Sequence, residues 1–305
     1  MRKDATSTIK TVLGILAAPL VVVGVAAMPL MLESARGAPR LAPGRAIEAV
    51  VRWFGGLADG SSFRYVFGTT TWSFFDVAPR FFMVSFLYIA LAGSAGMALG
   101  LVLGIRSRRG ESGPVMRVVD TISTVPDFIV AIILQLVVIT VLDRFGVKLS
   151  RISYDASSPV LILLPFVLMA FYPFAHVYRA AARSARDART ADWAVYARAK
   201  GVHERDIVRR HVGAAVVPAI GTELPTLLAM MQANLFVTEF VFSLPGITRF
   251  LFTVAFSGRS QGWMEFYQYP VAVAVLLGIL LVYAAAWAFF RGALALLRAG
   301  LTGER

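Results

Sequence analysis

The chain has 305 residues, 58% of them hydrophobic and only 16% charged, with a mean hydropathy of +0.71. A soluble domain carries about a quarter charged residues, so an ordinary water-soluble fold is excluded. The sequence holds no cysteine, which excludes disulfides, thiolate metal sites and a cysteine nucleophile, and the net charge of +12 is spread in a way that does not mark a nucleic-acid binder.

The first apolar run, Thr11 to Leu32, is 22 residues without a charge. At 1.5 Å per residue such a run reaches about 33 Å, enough for a hydrocarbon core of roughly 30 Å. It is flanked by Arg2, Lys3 and Lys10, like a signal peptide, but exceeds the usual apolar length of one and reads as a retained anchor. Residues 33–80 follow as an extracytoplasmic segment. Within it Ile47, Val50, Val51, Phe54 and Leu57 recur at helical spacing, and Asp59-Gly60-Ser61 is a turn. The amphipathic stretch from Ala46 to Leu57 reads as a short helix on the outer face of the bundle, or as a binding element of its own.

Phe81 to Ile105 is a second uncharged span of 25 residues, and Tyr269 to Phe290 another of 22. Three further spans, Met116 to Leu142, Pro159 to Tyr178 and Val212 to Thr238, carry prolines or polar residues, which lipid tolerates where protein or a wet cavity resatisfies the freed groups. The fold class is therefore an all-α membrane protein of about six transmembrane helices. With the N-terminus in the cytoplasm, 19 of the 30 Lys and Arg fall inside, 9 of them between Arg179 and Arg210, as the positive-inside rule requires. Both termini are then cytoplasmic: residues 1–10 at the start, a transmembrane domain over 11–298, and a tail at 299–305.

The longest inside segment, 179–211, alternates in charge and is divided by Gly201. Asp192 to Lys200 reads as one helix capped by that glycine, and His203 to Arg210 as another. On the second, Ile207 and Val208 offer an apolar anchor rimmed by Glu204, Arg205, Arg209 and Arg210. This fits a docking surface for a soluble partner, or a solvated loop beside anionic lipid. No phosphate-binding GxxxxGK[ST] loop occurs, so a pump built on this chain needs its ATPase elsewhere.

At membrane depth, Asp127 after Pro126 is either a cap for a helix beginning at Phe128 or part of a pathway, with Gln135 on the same face. Glu223, Leu227, Met230, Met231, Asn234 and Thr238 form a helical stripe, either pore-facing or a helix–helix contact. Glu239 closes that span, as a contact for a substrate amine or binding protein, or as an interfacial carboxylate near Arg249. No catalytic or metal-binding constellation is visible.

Asp192-Trp-Ala-Val-Tyr-Ala-Arg-Ala-Lys-Gly-Val-His-Glu-Arg-Asp-Ile-Val-Arg-Arg-His211 resembles the EAA loop of ABC importer permeases, in particular the dipeptide/oligopeptide/nickel, binding-protein-dependent subgroup and its B-type subunit. Arg52-Trp-Phe-Gly-Gly-Leu-Ala-Asp-Gly60, Ser123-Thr-Val-Pro-Asp-Phe128 and Glu239-Phe-Val-Phe-Ser-Leu-Pro-Gly246 resemble that subgroup's other segments in the same order. The chain departs from the subgroup at Val195-Tyr196, at Gly213-Ala-Ala-Val216 and at Asp127. The resemblance implies a type I ABC permease fold in the bacterial inner membrane and a pore for peptides. Nickel chelates, glutathione-like molecules, oligosaccharides and ion-coupled secondary transport are the alternatives. It implies a coupling helix at Val202–Arg210, with Asp192, Ala199, Gly201, Glu204, Ile207, Arg209, Arg210 and His211 serving the ATPase contact. Asp127, Gln135, Met230, Asn234, Glu239, Phe242, Pro245 and Gly246 would serve the pathway and its outer gate. The implied partners are a second permease chain, two ATPase subunits that bind ATP and magnesium, an extracytoplasmic solute-binding protein and lipid. This chain itself would carry no cofactor and bind no nucleic acid.

Overall fold

The structure is a computed structural model that describes residues 14, 17–35, 38–67, 69–107, 113–147, 163–255 and 267–302. The N-terminal residues 1–13, most of the loop expected after Asp143, and 303–305 lie outside the described residues. Among the described residues, five helices are long and apolar enough to cross a membrane: α3 (Phe74–Arg106), α5 (Asp127–Phe145), α6 (Leu163–Thr190), α9 (Gly213–Val241) and α11 (Tyr269–Thr302). A sixth, α1 (Ala17–Met31), is apolar but shorter within the described residues.

The chain divides into two compact units, residues 1–83 with 245–281, and residues 84–244 with 282–305. In the first unit, α1 ends in a 3-10 turn and leads into a hairpin of β1 (Leu32–Ala35) and β2 (Ala38–Leu41), paired antiparallel with Leu32 opposite Leu41. Helix α2 (Pro43–Gly55) follows, opened by proline in its first turn, where the missing N–H costs nothing. Gly60 has φ 74° and the Asp59 carboxylate accepts from the Ser61 N–H at 2.9 Å, which forms the expected turn. The Ser61 N–H and then its hydroxyl hold the Asp59 carboxyl below the usual range.

A second hairpin, β3 (Arg64–Phe67) with β4 (Thr70–Ser73), pairs Arg64 with Ser73. The sequence reading has no strands here. Each is four residues long, too short for a periodic signal, and draws on β-branched and aromatic residues such as Tyr65, Val66, Thr71 and Trp72. Gln268 binds the β3 edge on both sides of one residue: its Oε1 accepts from Val66 N–H at 2.7 Å and its Nε2 donates to Val66 carbonyl at 2.8 Å. Phe250, in the short helix α10 (Ile247–Phe250), centres an aromatic cluster with Tyr65 at 5.6 Å, Phe74 at 6.2 Å and Phe81 at 4.6 Å between centroids.

The second unit corrects two expected boundaries. The span at Met116–Leu142 is two helices, α4 (Pro114–Ser123) and α5, because Pro126 drives its predecessor out of helical geometry and restarts the chain. The span at Pro159–Tyr178 continues as α6 to Thr190, its alanine-rich extension packing Ala181, Ala182 and Ala185 with no exposure.

Packing in this unit rests on a row of glycines in α3. A Cβ at Gly96 would lie 2.3 Å from the Ala170 carbonyl; at Gly100, 2.7 Å from the Phe174 carbonyl; at Gly104, 2.7 Å from the Ala181 Cβ and 2.8 Å from the Tyr178 carbonyl. Helices α3 and α6 therefore touch backbone to backbone, which lipid-embedded helices achieve with small residues four apart. Gly93 makes room in the same way for Met231 and Phe290. Opposite, α6 packs along α9 through Leu168, Met169, Leu227, Leu228 and Met231, all buried. By contrast, α5 exposes Phe128, Ile132, Ile133, Leu136 and Val137, an apolar surface left for lipid or another subunit.

Gly100→Val should lower the melting temperature of the purified chain by about 2–5 °C or abolish its folded yield, since overpacking costs about 1–3 kcal/mol or more. Gly292→Val, where a Cβ meets nothing within 4 Å, should leave it unchanged. A fluorescence melt of both variants in detergent checks this.

Candidate functional site

Two regions carry the residues singled out by sequence. The first begins where α6 ends. Ala191 is extended (φ −65°, ψ 147°) and releases α7 (Asp192–Ala199), an eight-residue helix seated by the fully buried Ala194. Gly201, with φ 78°, closes α7: its N–H donates to the Arg198 carbonyl at 2.9 Å and the Val202 N–H to the Ala197 carbonyl at 3.1 Å. This paired closure needs a left-handed residue, which glycine adopts without strain.

Arg198 fastens the corner. Its Nε donates to the Glu204 carboxylate at 2.9 Å, its Nη2 to the other oxygen at 3.3 Å, and its Nη1 to the Arg189 carbonyl at 3.0 Å. The Glu204 carboxylate raises the guanidinium above its ordinary value. One planar fork thus ties α7 to the chain on both sides, a geometry that lysine cannot reproduce. Arg189 in turn donates to the Ser107 carbonyl at 3.0 Å and to the Ile105 carbonyl, satisfying acceptors at the C-terminal end of α3.

The separate helix expected at Val202–Arg210 is not what forms. A single turn, α8 (Glu204–Asp206), runs through a wide π-type turn (Ile207–Val212) directly into α9. Ile207, expected as an exposed docking anchor, is fully buried and belongs to the chain's own core. The exposed apolar groups lie on α7 and just past it: Trp193 (40% exposed), Val195 (55%), Tyr196 (62%) and Val202 (41%). Lys200 Nζ stands 4.6 Å from the Tyr196 ring. Asp192 and Ala199 are exposed on the same helix. Arg209, Arg210 and His211 lie on the π-type turn, their side chains outside the described set.

The second region lies at membrane depth. Asp127 occupies the first turn of α5, but its side chain caps no backbone N–H; it accepts a hydrogen bond from the Tyr172 hydroxyl of α6. The capping reading is thereby corrected. Gln135, two turns on, donates to the Val241 carbonyl at 3.4 Å. Along α9 the stripe divides by face. Leu227, Met231, Asn234 and Thr238 are buried, Asn234 donating to the Leu168 carbonyl at 3.4 Å and accepting from Thr238 at 3.3 Å. This is the helix-contact arrangement. Met230 is 46% exposed on another face. Glu223 is exposed too, its carboxylate 3.5 Å from His176 Nε2 of α6.

Glu239 has no exposure, and its carboxylate accepts a hydrogen bond from Ser85 of α3. Just beyond, Phe242 is fully buried and Ser243 takes φ 55°, a left-handed conformation rare outside glycine. The Leu244 N–H donates to the Glu239 carbonyl at 3.0 Å and Ser243 N–H to that of Phe240 at 3.3 Å, closing α9 as Gly201 closes α7. Pro245 lies outside both helices and Gly246, extended at φ −104° and ψ 172°, leads into α10. Sequence reasoning missed Tyr172 and Ser85, each a partner supplied from a distant stretch of chain, and Arg198, whose partners Arg189 and Glu204 lie on either side of it. The glycine spacing in α3 was there to be read.

Arg198→Ala should expose the corner: chymotryptic cleavage at Trp193 and Tyr196 of the detergent-purified chain is expected to rise several-fold. Arg198→Lys should behave like Arg198→Ala, because a point charge cannot make the three contacts.

Comparison with known proteins bears on the same stretch. The family of binding-protein-dependent transport system inner membrane components matches residues 96–292, which include α6, α7 and α9 and the closures at Gly201 and Ser243. A dipeptide transport system permease protein, DppB, of Bacillus subtilis (strain 168) is 29% identical over 181 residues, 57% of this chain. The chain spans about half the length of that curated relative, the match covering 56% of it. With a family match over well over half its length, the chain belongs to the binding-protein-dependent transport system inner membrane components.

Proposed function

We propose that this chain is the pore-forming permease subunit of an ATP-driven importer of di- or oligopeptides, delivered by an extracytoplasmic binding protein. The observation that carries the reading is the family match over residues 96–292, joined to likeness with a dipeptide permease. The chain works with two ATPase subunits that bind ATP and magnesium, and has no ATPase site of its own. A second, distinct permease chain completes the pore. Both termini lie in the cytoplasm, and the corner at 191–204 faces the ATPases.

The corner suits that task physically. A short helix with exposed Trp193, Val195 and Tyr196 offers an aromatic anchor of the kind that dominates protein interfaces. Arg198 makes the helix move together with α6 and with the base of α9. Closure of the ATPases then displaces α7 as a solid piece, and the spans follow as packed bodies toward the opposite access state. We assign the ATPase contact to α7, with Asp192, Ala199 and Gly201, and to the flanking Glu204, Arg209, Arg210 and His211. Ile207 serves as the buried hinge-point beneath them.

For the pathway, Asp127, Gln135 and Met230 are the groups with access beyond the chain's own core. Asn234, Glu239 and Phe242 act as the fixed wall behind them, and Ser243 to Gly246 as the outer gate. A carboxylate at membrane depth costs about 2.5–3.5 kcal/mol on insertion scales, so Asp127 fits a cavity that receives a peptide's ammonium group.

Affinity purification of the tagged chain from gently solubilised membranes, with partners counted by mass spectrometry, is expected to yield two ATPases, a second permease and a binding protein. Recovery of the chain alone from several detergents would favour an ion-coupled transporter. Tyr196→Glu should leave the chain inserted and assembled less tightly, with binding-protein-stimulated ATP hydrolysis reduced about tenfold or more, the loss expected for removing one aromatic anchor at about 1.4 kcal/mol or more. Asp127→Asn keeps an acceptor for Tyr172 and should preserve folding while reducing uptake of peptides with a free amino terminus, measured with N-acetylated peptides as the control. Equal uptake of both classes would remove Asp127 from the pathway.

A further inference from the structure

Helix α2 presents three faces. Ala46 and Trp53 are buried in one cluster with Val23, Ala26 and Ala27 of α1 and Tyr269 and Val273 of α11. A quarter-turn round, Ile47 (63% exposed), Val51 (65%) and Phe54 (45%) form an uncovered apolar row. On the far side, Arg45, Glu48 and Arg52 border an open cavity of about 500 Å³ that also meets Ser61, Ser62 and Gln268.

The depth of α2 follows from what it touches. Its entry is tied to the end of α1 by the Ala42 N–H, which donates to the Met31 carbonyl at 2.7 Å. It packs against the Met28–Met31 turn, and its buried Ala46 and Trp53 share one core cluster with Val23, Ala26 and Ala27 of the span. Val23 lies eight residues, about 12 Å of helix, before Met31. Tyr269 and Tyr267 hydroxyls donate to the Val23 and Ala26 carbonyls at 3.1 and 2.7 Å, which fixes the start of α11 at that level. Tyrosine and tryptophan with a polar tip and an apolar body gather at the membrane interface.

We propose that α2 lies within the outer leaflet, its Ile47–Val51–Phe54 row against lipid acyl chains and its Arg45–Glu48–Arg52 row along a hydrated notch. A helix is the form in which such a segment enters lipid, because its backbone groups are paired internally. The division suits that position: an apolar row beside the buried face, and charged groups only where the cavity admits water. Arg45 and Arg52, with long stems, reach toward phospholipid phosphates from the notch side. The proposal rests on α1 crossing the membrane and on the orientation proposed above.

The chain has no native cysteine, so Ile47→Cys, Val51→Cys, Phe54→Cys, Glu48→Cys and Arg52→Cys each give one nitroxide site. The labelled full chain, with its co-purifying subunits, is placed in nanodiscs of phosphatidylethanolamine and phosphatidylglycerol and relaxed with oxygen or a nickel chelate. Labels at 47, 51 and 54 should be several-fold more accessible to oxygen than to the chelate, and those at 48 and 52 the reverse. Chelate access at 47, 51 and 54 would put the row in water and overturn the proposal. Protection from both reagents would show a protein covering it, the second permease or the binding protein, and would overturn it as well. In sealed right-side-out vesicles, an impermeant maleimide added outside should reach Arg52→Cys. Failure there, with the nanodisc pattern intact, faults the orientation rather than the lipid contact.

Discussion

The contact on which the larger unit depends is the backbone approach of α3 to α6. With glycine at 96, 100 and 104, the two helices close until main-chain atoms meet. No hydrophobic force drives helices together inside lipid; close packing and polar contacts must do so. Once α3 and α6 are in register, their ends and side chains fall into place. Arg189 then reaches the carbonyls of Ile105 and Ser107. Arg179 reaches Asp120 at 2.8 Å and Ser123 at 3.3 Å, binding α4 to α6. A bulkier α3 would push the Ile105 and Ser107 carbonyls out of Arg189's reach.

The second constraint is the handling of polar groups where water is scarce. Four intramembrane polar side chains of α9 and α5 are engaged by another helix: Asn234 by α6, Glu239 by α3, Asp127 by α6, Gln135 by α9. These bonds are individually modest, about 0.6 kcal/mol on average between membrane helices. Their value lies in direction. Each works only in one rotation of its helix, so together they select a single arrangement from the many that apolar packing alone would allow. A change of access state must exchange some of them for others, which makes them natural latches.

Much of the architecture was legible in the chain. The uncharged runs located α3 and α11, the positive charges located the corner, and Gly201 was read as the end of α7 from its place between two helical patterns. The misreadings have physical causes. The break at Pro126 was read, in Asp127 as the cap of a helix beginning at Phe128, but Met116 to Ser123 was counted with that helix as one span because the interruption is no more polar than lipid tolerates. The length of α6 was underestimated because hydropathy marks where lipid ends, not where a helix ends; Arg179 to Thr190 remains helical through its buried alanines. Ile207 looked like an anchor because periodicity tells which residues share a face but not what covers that face. Tyr172 and Ser85 were invisible as site residues, since a partner 45 or 154 positions away leaves no local trace; Arg198 has its partners within nine residues, but its fork forms only once Gly201 turns the chain back.

The wide turn at Ile207–Val212 has a mechanical consequence. From Glu204 to Val241 the chain is helical without a gap, a strut of about 57 Å at 1.5 Å per residue. Its base is wound one residue looser than the rest. Were that slack taken up into ordinary winding, everything beyond it would swivel by about 100° and advance by about 1.5 Å, because the wider turn rises less per residue. The strut would then turn like a crankshaft, carrying Met230 away from its present bearing and bringing a different flank of α9 to the same place.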